Sequence, residues 1–156
     1  MGKSPKAGTP TRETSLMACV EAFVAPEDLA DRIGCEACGV PRLFTKTLTV
    51  SSPPPILCLH LKRFDAGRNV KLKNPVHFPP TMDVGSVLDP GSGKAATYEC
   101  YATVNHKGSL HQGHYTSYVK SNGNWYAVGD HHVKEVQQND VFNETSTAYL
   151  LFYQRI

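Results

Sequence analysis

Helical spacing of apolar residues near the start of this chain gives way, past its first quarter, to a series of extended segments. Before that, Leu16, Met17, Val20, Phe23 and Val24 trace one apolar helix face behind Ser15, which fits an N-cap position. Pro26 with Glu27 and Asp28 predicts the first turn of a second short helix, carrying Leu29 and Ile33 and ended by Gly34. The period then changes. Leu43, Thr45, Thr47 and Thr49 oppose Phe44, Lys46, Leu48 and Val50, which predicts a half-buried strand. After Pro53-Pro54-Pro55, the run Ile56 to Phe64 is apolar on both faces, with Leu57, Leu59 and Leu61 on one and Ile56, Cys58 and Phe64 on the other. Such a pattern predicts a central strand, with Cys58 and His60 in the core.

Residues 65–97 are rich in Gly, Pro, Asn and Asp, with short extended pieces at Val70–Leu72 and Val76–Phe78 and an exposed, mobile turn at Pro90-Gly91-Ser92-Gly93. Further strands are expected at Tyr98–Val104, Tyr115–Lys120, Trp125–Val128 and Tyr149–Tyr153, and a helical turn at Asn139–Asn143. Ser121-Asn122-Gly123-Asn124 is a strong hairpin signal. The sum is an α+β fold, an antiparallel sheet with helices gathered at the N-terminal end.

Composition narrows the function classes. With 156 residues, 40% hydrophobic and 19% charged, the chain suits one domain, residues 15–156, behind a polar tail at 1–14 that predicts flexibility. A net charge of +2 gives no footing for nucleic acid or an acidic membrane, and no apolar run is long enough to span a bilayer. The polar start has no apolar core of a secretory signal, and five cysteines, an odd number, fit free thiols better than a disulfide framework. An intracellular protein, cytoplasmic or nuclear, is expected.

Chemistry concentrates in the stretch from Asn105 to Tyr115, where His106, His111 and His114 share a glycine-punctuated loop entering a strand. Histidine is the usual general base because its pKa lies near working pH. Gly-His-Tyr-Thr-Ser-Tyr at 113–118, preceded by Asn-His-x-Gly at 105–108, resembles the histidine box of the ubiquitin-specific proteases. Three other segments agree in order: Pro55 to Phe64 is similar to that family's central strand, Ser15 to Cys38 to the helical lead into its fingers, and Ala148 to Tyr153 to its closing strand.

That resemblance implies a papain-like cysteine protease fold of fingers, palm and thumb, here partial, with palm and part of the fingers present and the thumb missing. It implies thiol-dependent cleavage after the C-terminal glycine of ubiquitin, with no cofactor required for catalysis. A thiolate attacks, a histidine takes its proton, and an Asp or Asn orients the histidine. The base carries over to His114; His106, Gly113 and Tyr115 carry over to the cleft that holds the ubiquitin tail. The orienting position falls on Gly129, which has no side chain to accept the imidazole proton. Asp130 either serves in its place or only stabilises a turn. His131 and His132 are expected in a solvent-facing loop.

No segment resembles the family's nucleophile box. Cys19, Cys58 and Cys100 read as small buried core residues, and burial makes a thiol a poor nucleophile. Cys35-x-x-Cys38 resembles half of the family's zinc ribbon, whereas a structural zinc wants four ligands. A metal-free knuckle is expected ahead of a full site, with a shared half-site as the alternative. The chain alone is expected to be inactive. It is read as an incomplete piece of a deubiquitinase, either a partial product or one half of a split enzyme whose Cys box lies on another polypeptide, or as a non-catalytic module that binds ubiquitin or a partner covering the palm face. Independent activity through one of its five thiols is the third reading, against which the missing nucleophile box counts most.

Overall fold

The computed structural model describes residues 14–65, 67–89, 96–109 and 111–156. The tail expected at 1–14 lies outside them apart from Thr14, and so does the turn expected at 90–93. In chain order, a short strand β1 (Thr14–Ser15) leads into helix α1 (Leu16–Val24). Four two-residue strands follow: β2 (Glu27–Asp28), β3 (Ile33–Gly34), β4 (Pro41–Arg42) and β5 (Thr45–Lys46). Next come β6 (Ile56–His60), β7 (Phe64–Asp65), β8 (Val70–Lys71), β9 (Val76–His77), β10 (Thr81–Asp83) and a 3-10 turn at Gly85–Val87. The long strands are β11 (Thr97–Gly108), β12 (Gly113–Ser121), β13 (Asn124–Gly129) and β14 (His132–Val136), and helix α2 (Gln138–Phe142) precedes β15 (Ala148–Arg155).

A seven-stranded sheet forms the body, in the order β14-β13-β12-β11-β15-β6, with β10 pairing the start of β11. Every pairing within it is antiparallel. Strand β11 is the spine, hydrogen-bonded to β15 along one side and to β10 and then β12 along the other. The hairpin expected at 121–124 forms: Ser121 faces Asn124, and Asn122 and Gly123 take φ of 49° and 86°, the left-handed pair a two-residue turn requires. The core lies under β11 and β15, where Tyr98, Leu151 and Tyr153 have no exposed surface and Leu16 of α1 closes the end. The two buried tyrosines keep their hydroxyls satisfied, Tyr98 donating to Pro54 O at 2.6 Å and Tyr153 to Pro79 O at 2.8 Å. Ser15 caps α1 as its position suggests, its Oγ accepting from the Ala18 N–H at 3.1 Å.

Several expectations are corrected. Residues 26–34 form no second helix. Glu27–Asp28 pairs with Thr45–Lys46 and Ile33–Gly34 with Pro41–Arg42, making an exposed two-rung arm. Leu29 and Ile33 alone offer too little apolar surface to nucleate so short a helix, and cross-arm pairing wins. The strand expected over 43–50 shrinks to Thr45–Lys46, extended by one bond from the Leu29 N–H to the Phe44 carbonyl at 2.8 Å, with Val50 forming a separate bridge to Leu88.

Strand β6, expected to be central, is an edge, pairing β15 on one side only. Its Cys58 and His60 are exposed rather than in the core, and His60 instead sets its ring edge-on to Tyr149 at 4.6 Å. His132 starts strand β14 instead of lying in a loop, although it faces solvent as expected. Pairing of His132 with Gly129 on β13 draws it into the ladder.

Candidate active site

The β11–β12 hairpin places the histidines. Pairing sets His106 opposite Tyr115, Lys107 opposite His114 and Gly108 opposite Gly113, with His111 and Gln112 just ahead of β12. His106 and His114 sit on neighbouring strands at registers of opposite parity, and they meet different surroundings.

His114 is half-exposed, and its Nε2 lies 3.7 Å from Asp130 Oδ2. Asp130 occupies the two-residue turn between β13 and β14, where Gly129 pairs with His132, and it takes a φ of 47°. Aspartate tolerates that left-handed conformation better than most residues. The turn that Asp130 makes is what brings its carboxylate near His114. A gap of 3.7 Å with 55% and 67% of the two side chains exposed is an ion-pair approach, longer than a made hydrogen bond. Gly129 sits one residue back, and a Cβ there would rest 3.4 Å from the Thr116 methyl, ordinary contact.

His106 is buried, 4% exposed, under a lid of rings. Tyr115 lies 4.6 Å away by ring centroid, Phe64 5.5 Å and Tyr149 6.3 Å. Gly113 is the floor: a Cβ there would stand 1.9 Å from His106 Nε2, so only glycine fits. Lys71 of β8 donates to His106 Nδ1 at 2.9 Å and also to the His106 carbonyl. Burial lowers the His106 pKa, and the Lys71 cation lowers it further. Thus the structure brings His106, Gly113 and Tyr115 into one cluster, and sets His114 and Asp130 together as a separate pair.

Two supporting residues had weak sequence signals. Lys71 sits between Val70 and Leu72 in a two-residue strand, too short for a pattern to register. Arg63 follows three residues after β6, and a charge between the apolar Leu61 and Phe64 is the hint of its role. Its guanidinium, 3% exposed, donates to the carbonyls of Ala148, Leu72, Asn74 and Thr145 at 2.5, 3.3, 2.8 and 2.7 Å, tying β15, the β7–β8 hairpin and the segment after α2 together.

The thiols divide clearly. Cys100 is buried and its pKa is pushed up to about 12 by desolvation, as its core reading predicts. Cys58, exposed, faces Phe152, which pairs with Ala102. It therefore lies three strands across and five residues along from the Lys107–His114 pair, about 20 Å at ordinary strand spacings. Cys35 has its thiol pKa lowered by the backbone N–H groups of Cys38 and Ala37, the donor arrangement of a metal knuckle. Yet no cluster of three or more His, Cys, Asp or Glu side chains suited to a metal occurs among the described residues. Two thiols do not fit a complete tetrahedral zinc site.

Beside β6, a groove of about 690 Å³ runs between α1 and the strand, lined by Leu16, Val20, Phe23, Val50, Leu57 and Leu59 among others. Phe23 at its rim is 69% exposed.

An antiparallel palm with a finger-like arm and a histidine–carboxylate pair at a hairpin mouth is the architecture of a partial papain-like cysteine protease domain. Solved structures agree. The chain superposes on the SAGA deubiquitinating module Ubp8/Sgf11/Sus1/Sgf73 bound to monoubiquitin with a TM-score of 0.80 and 29% identity, covering 92% of this chain and 35% of that one. The same module bound to ubiquitin aldehyde gives 0.77 and 30%, covering 92% and 36%. The profile of the ubiquitin carboxyl-terminal hydrolase family matches residues 12–153, and the chain belongs to that family. Ubiquitin carboxyl-terminal hydrolase 10 of Arabidopsis thaliana is 40% identical over 149 residues, 91% of this chain and 16% of the relative. Ubiquitin carboxyl-terminal hydrolase 21 of Homo sapiens is 37% identical over 154 residues, 96% of this chain and 27% of the relative. The chain thus spans well under a third of the length of either.

Proposed function

We propose that this chain is the base-bearing portion of a ubiquitin-specific thiol protease, and that it hydrolyses nothing until a cysteine is supplied from outside the described residues. His114 would take the proton from that thiol, Asp130 would hold the imidazolium that forms, and the bond after ubiquitin's C-terminal glycine would be cut by the resulting thiolate. The observation that carries this reading is the His114–Asp130 approach at 3.7 Å, set far from both sheet cysteines. His106, Gly113 and Tyr115 would form the wall along which the ubiquitin tail lies. Catalysis needs no cofactor in this scheme, and the setting is intracellular; no helix among the described residues is long and apolar enough to cross a membrane.

The groove between α1 and β6 and the unpaired β6 edge support a protein partner, a Cys-box half, seated on the palm. An edge strand apolar on both faces is otherwise a self-pairing hazard. One observation favours a non-catalytic, ubiquitin-binding alternative: Gly129 stands where an orienting acid or amide is expected, and the carboxylate that replaces it is mostly solvated.

Ubiquitin with a thiol-reactive electrophile at its C-terminus tests the scheme by intact mass and peptide mapping. The expected result is no adduct with the chain alone, and a His114-dependent adduct on the Cys-box half when the two are co-expressed. An adduct on one of the chain's own cysteines, lost in His114→Ala, refutes it. Ubiquitin binding without any adduct in the co-expressed pair selects the non-catalytic module.

A further inference from the structure

We infer that Lys71 is a positioning residue that fixes His106 as an uncharged imidazole protonated on Nε2, so that His106 can only donate and only His114 is left to accept a proton. The tautomer stands on contacts inside this chain; its meaning for cleavage rests on the reading above.

A lysine ammonium has donors and no acceptor. A ring nitrogen 2.9 Å from it must therefore present a lone pair, which makes Nδ1 the bare nitrogen and places the proton on Nε2. The second Lys71 contact, to the His106 carbonyl, clamps backbone and ring to the same cation. A general base needs a free lone pair, and the single one on this imidazole is occupied. Protonating it would displace Lys71 and set two cations together in a site only 4% exposed.

The surroundings add nothing that would reverse this. Phe64 of β7, Tyr115 of β12 and Tyr149 of β15 face the imidazole with rings. Arg63 and Lys73 lie near enough to Lys71 to depress its own pKa, after the larger effect of desolvation, and they reinforce the positive field. Lys107, the next residue on β11, pairs with Glu144 at 3.0 Å, which engages that carboxylate away from the imidazole. His111, in the loop, lines the same cavity as Lys71 and His106.

The consequence is a division of labour between two histidines carried by one hairpin. His106 keeps its one ring proton on Nε2, the nitrogen packed directly against Gly113. His114, with no cation on its ring, keeps the lone pair that the chemistry uses. Lysine reaches this site from the β7–β8 hairpin, a separate element whose position would otherwise have no bearing on the loop.

The test is two-bond ¹H–¹⁵N correlation on the full chain labelled in histidine, titrated from acid to neutral pH, with His106→Gln identifying the signals. In the parent chain the His106 Nδ1 should resonate as an unprotonated nitrogen and Nε2 as a protonated one, with a titration midpoint below the ordinary histidine range. Lys71→Met should raise that midpoint and mix the tautomers; Lys71→Arg, which keeps a cationic donor, should preserve both features. An Nδ1-protonated or freely titrating His106 in the parent overturns the inference, as does a Lys71→Met spectrum unchanged at His106. If Lys71→Met does not fold, the parent and Lys71→Arg spectra decide. None of these readings depends on cleavage, so they stand apart from the success or failure of the probe experiment.

Discussion

Replacing Gly113 by alanine is a severe and well-defined perturbation. The added Cβ would stand 1.9 Å from His106 Nε2, 2.7 Å from Cε1 and 2.8 Å from Cδ2, so the imidazole must move. It has little room to do so, since Lys71 holds Nδ1 at 2.9 Å and the ring of Tyr115 stacks at 4.6 Å. Overpacking a tight site costs about 1–3 kcal/mol. If the ring swings clear instead, the hydrogen bond to the charged Lys71 is lost, worth roughly 1.5–3 kcal/mol. Either route gives a loss of about 1–3 kcal/mol. In a domain of this size that corresponds to a fall in Tm of roughly 2–12 °C. Urea unfolding of the parent, Gly113→Ala, His106→Ala and the double variant forms a cycle that isolates the clash. The double variant should recover at least about 1 kcal/mol relative to additivity. A Gly113→Ala chain within about 0.5 kcal/mol of the parent would falsify the packing argument, because that is the range of a surface change.

Other expectations follow from the same geometry. His114→Ala removes a half-exposed side chain, so stability should stay within about 0.5 kcal/mol while the reconstituted pair loses its adduct, as read by urea unfolding and by mass. Gly129→Asn meets only ordinary contact at Thr116 and should be tolerated; in the reconstituted pair it should speed labelling by the electrophilic probe if an orienting group is limiting, and no gain would show that Asp130 suffices. Arg63→Met orphans four carbonyls around a buried guanidinium and should cost about 3–5 kcal/mol, measured by thermal unfolding. The pH dependence has a defined sign. His106 has its folded pKa below the unfolded value of about 6.5, so the unfolded chain binds the extra proton first. Its contribution is complete above that pH and is lost as pH falls toward the folded value, a slope that His106→Gln should remove.

The long strands were readable because their alternation is clean and their turns carry chemistry, as with Asn122-Gly123 between β12 and β13. The arm at residues 27–46 was misread because its rungs are two residues long, shorter than any period can register, and because pairing partners lie across a loop of unrelated composition. Strand β6 was read correctly as a strand and wrongly as central. Its two-faced apolar pattern speaks of what should lie beside it, while the chain places only β15 there. In the candidate site, His114 and the cluster of His106, Gly113 and Tyr115 came from a short motif. Lys71 did not, because a lysine in a two-residue strand looks the same whether it meets solvent or a buried ring. The meeting is made by tertiary structure, 35 residues apart in sequence.

The order of strands in the main sheet also bears on how quickly the domain can assemble. From β11 to β14, residues 97–136 are joined by hairpins between sequence neighbours, so their loops close at small entropic cost and can form early. Strand β6 must wait. Its register joins Ile56 to Gln154, a separation of 98 residues, and it gains its place only after β15 has docked on β11. During synthesis, β6 emerges long before its partner and stays unpaired while about ninety residues are added, or several seconds at ordinary elongation rates. The early-folding meander would thus be sound in a newly made chain while the apolar β6 segment is still searching. A chaperone that recognises extended apolar segments should be found bound there first.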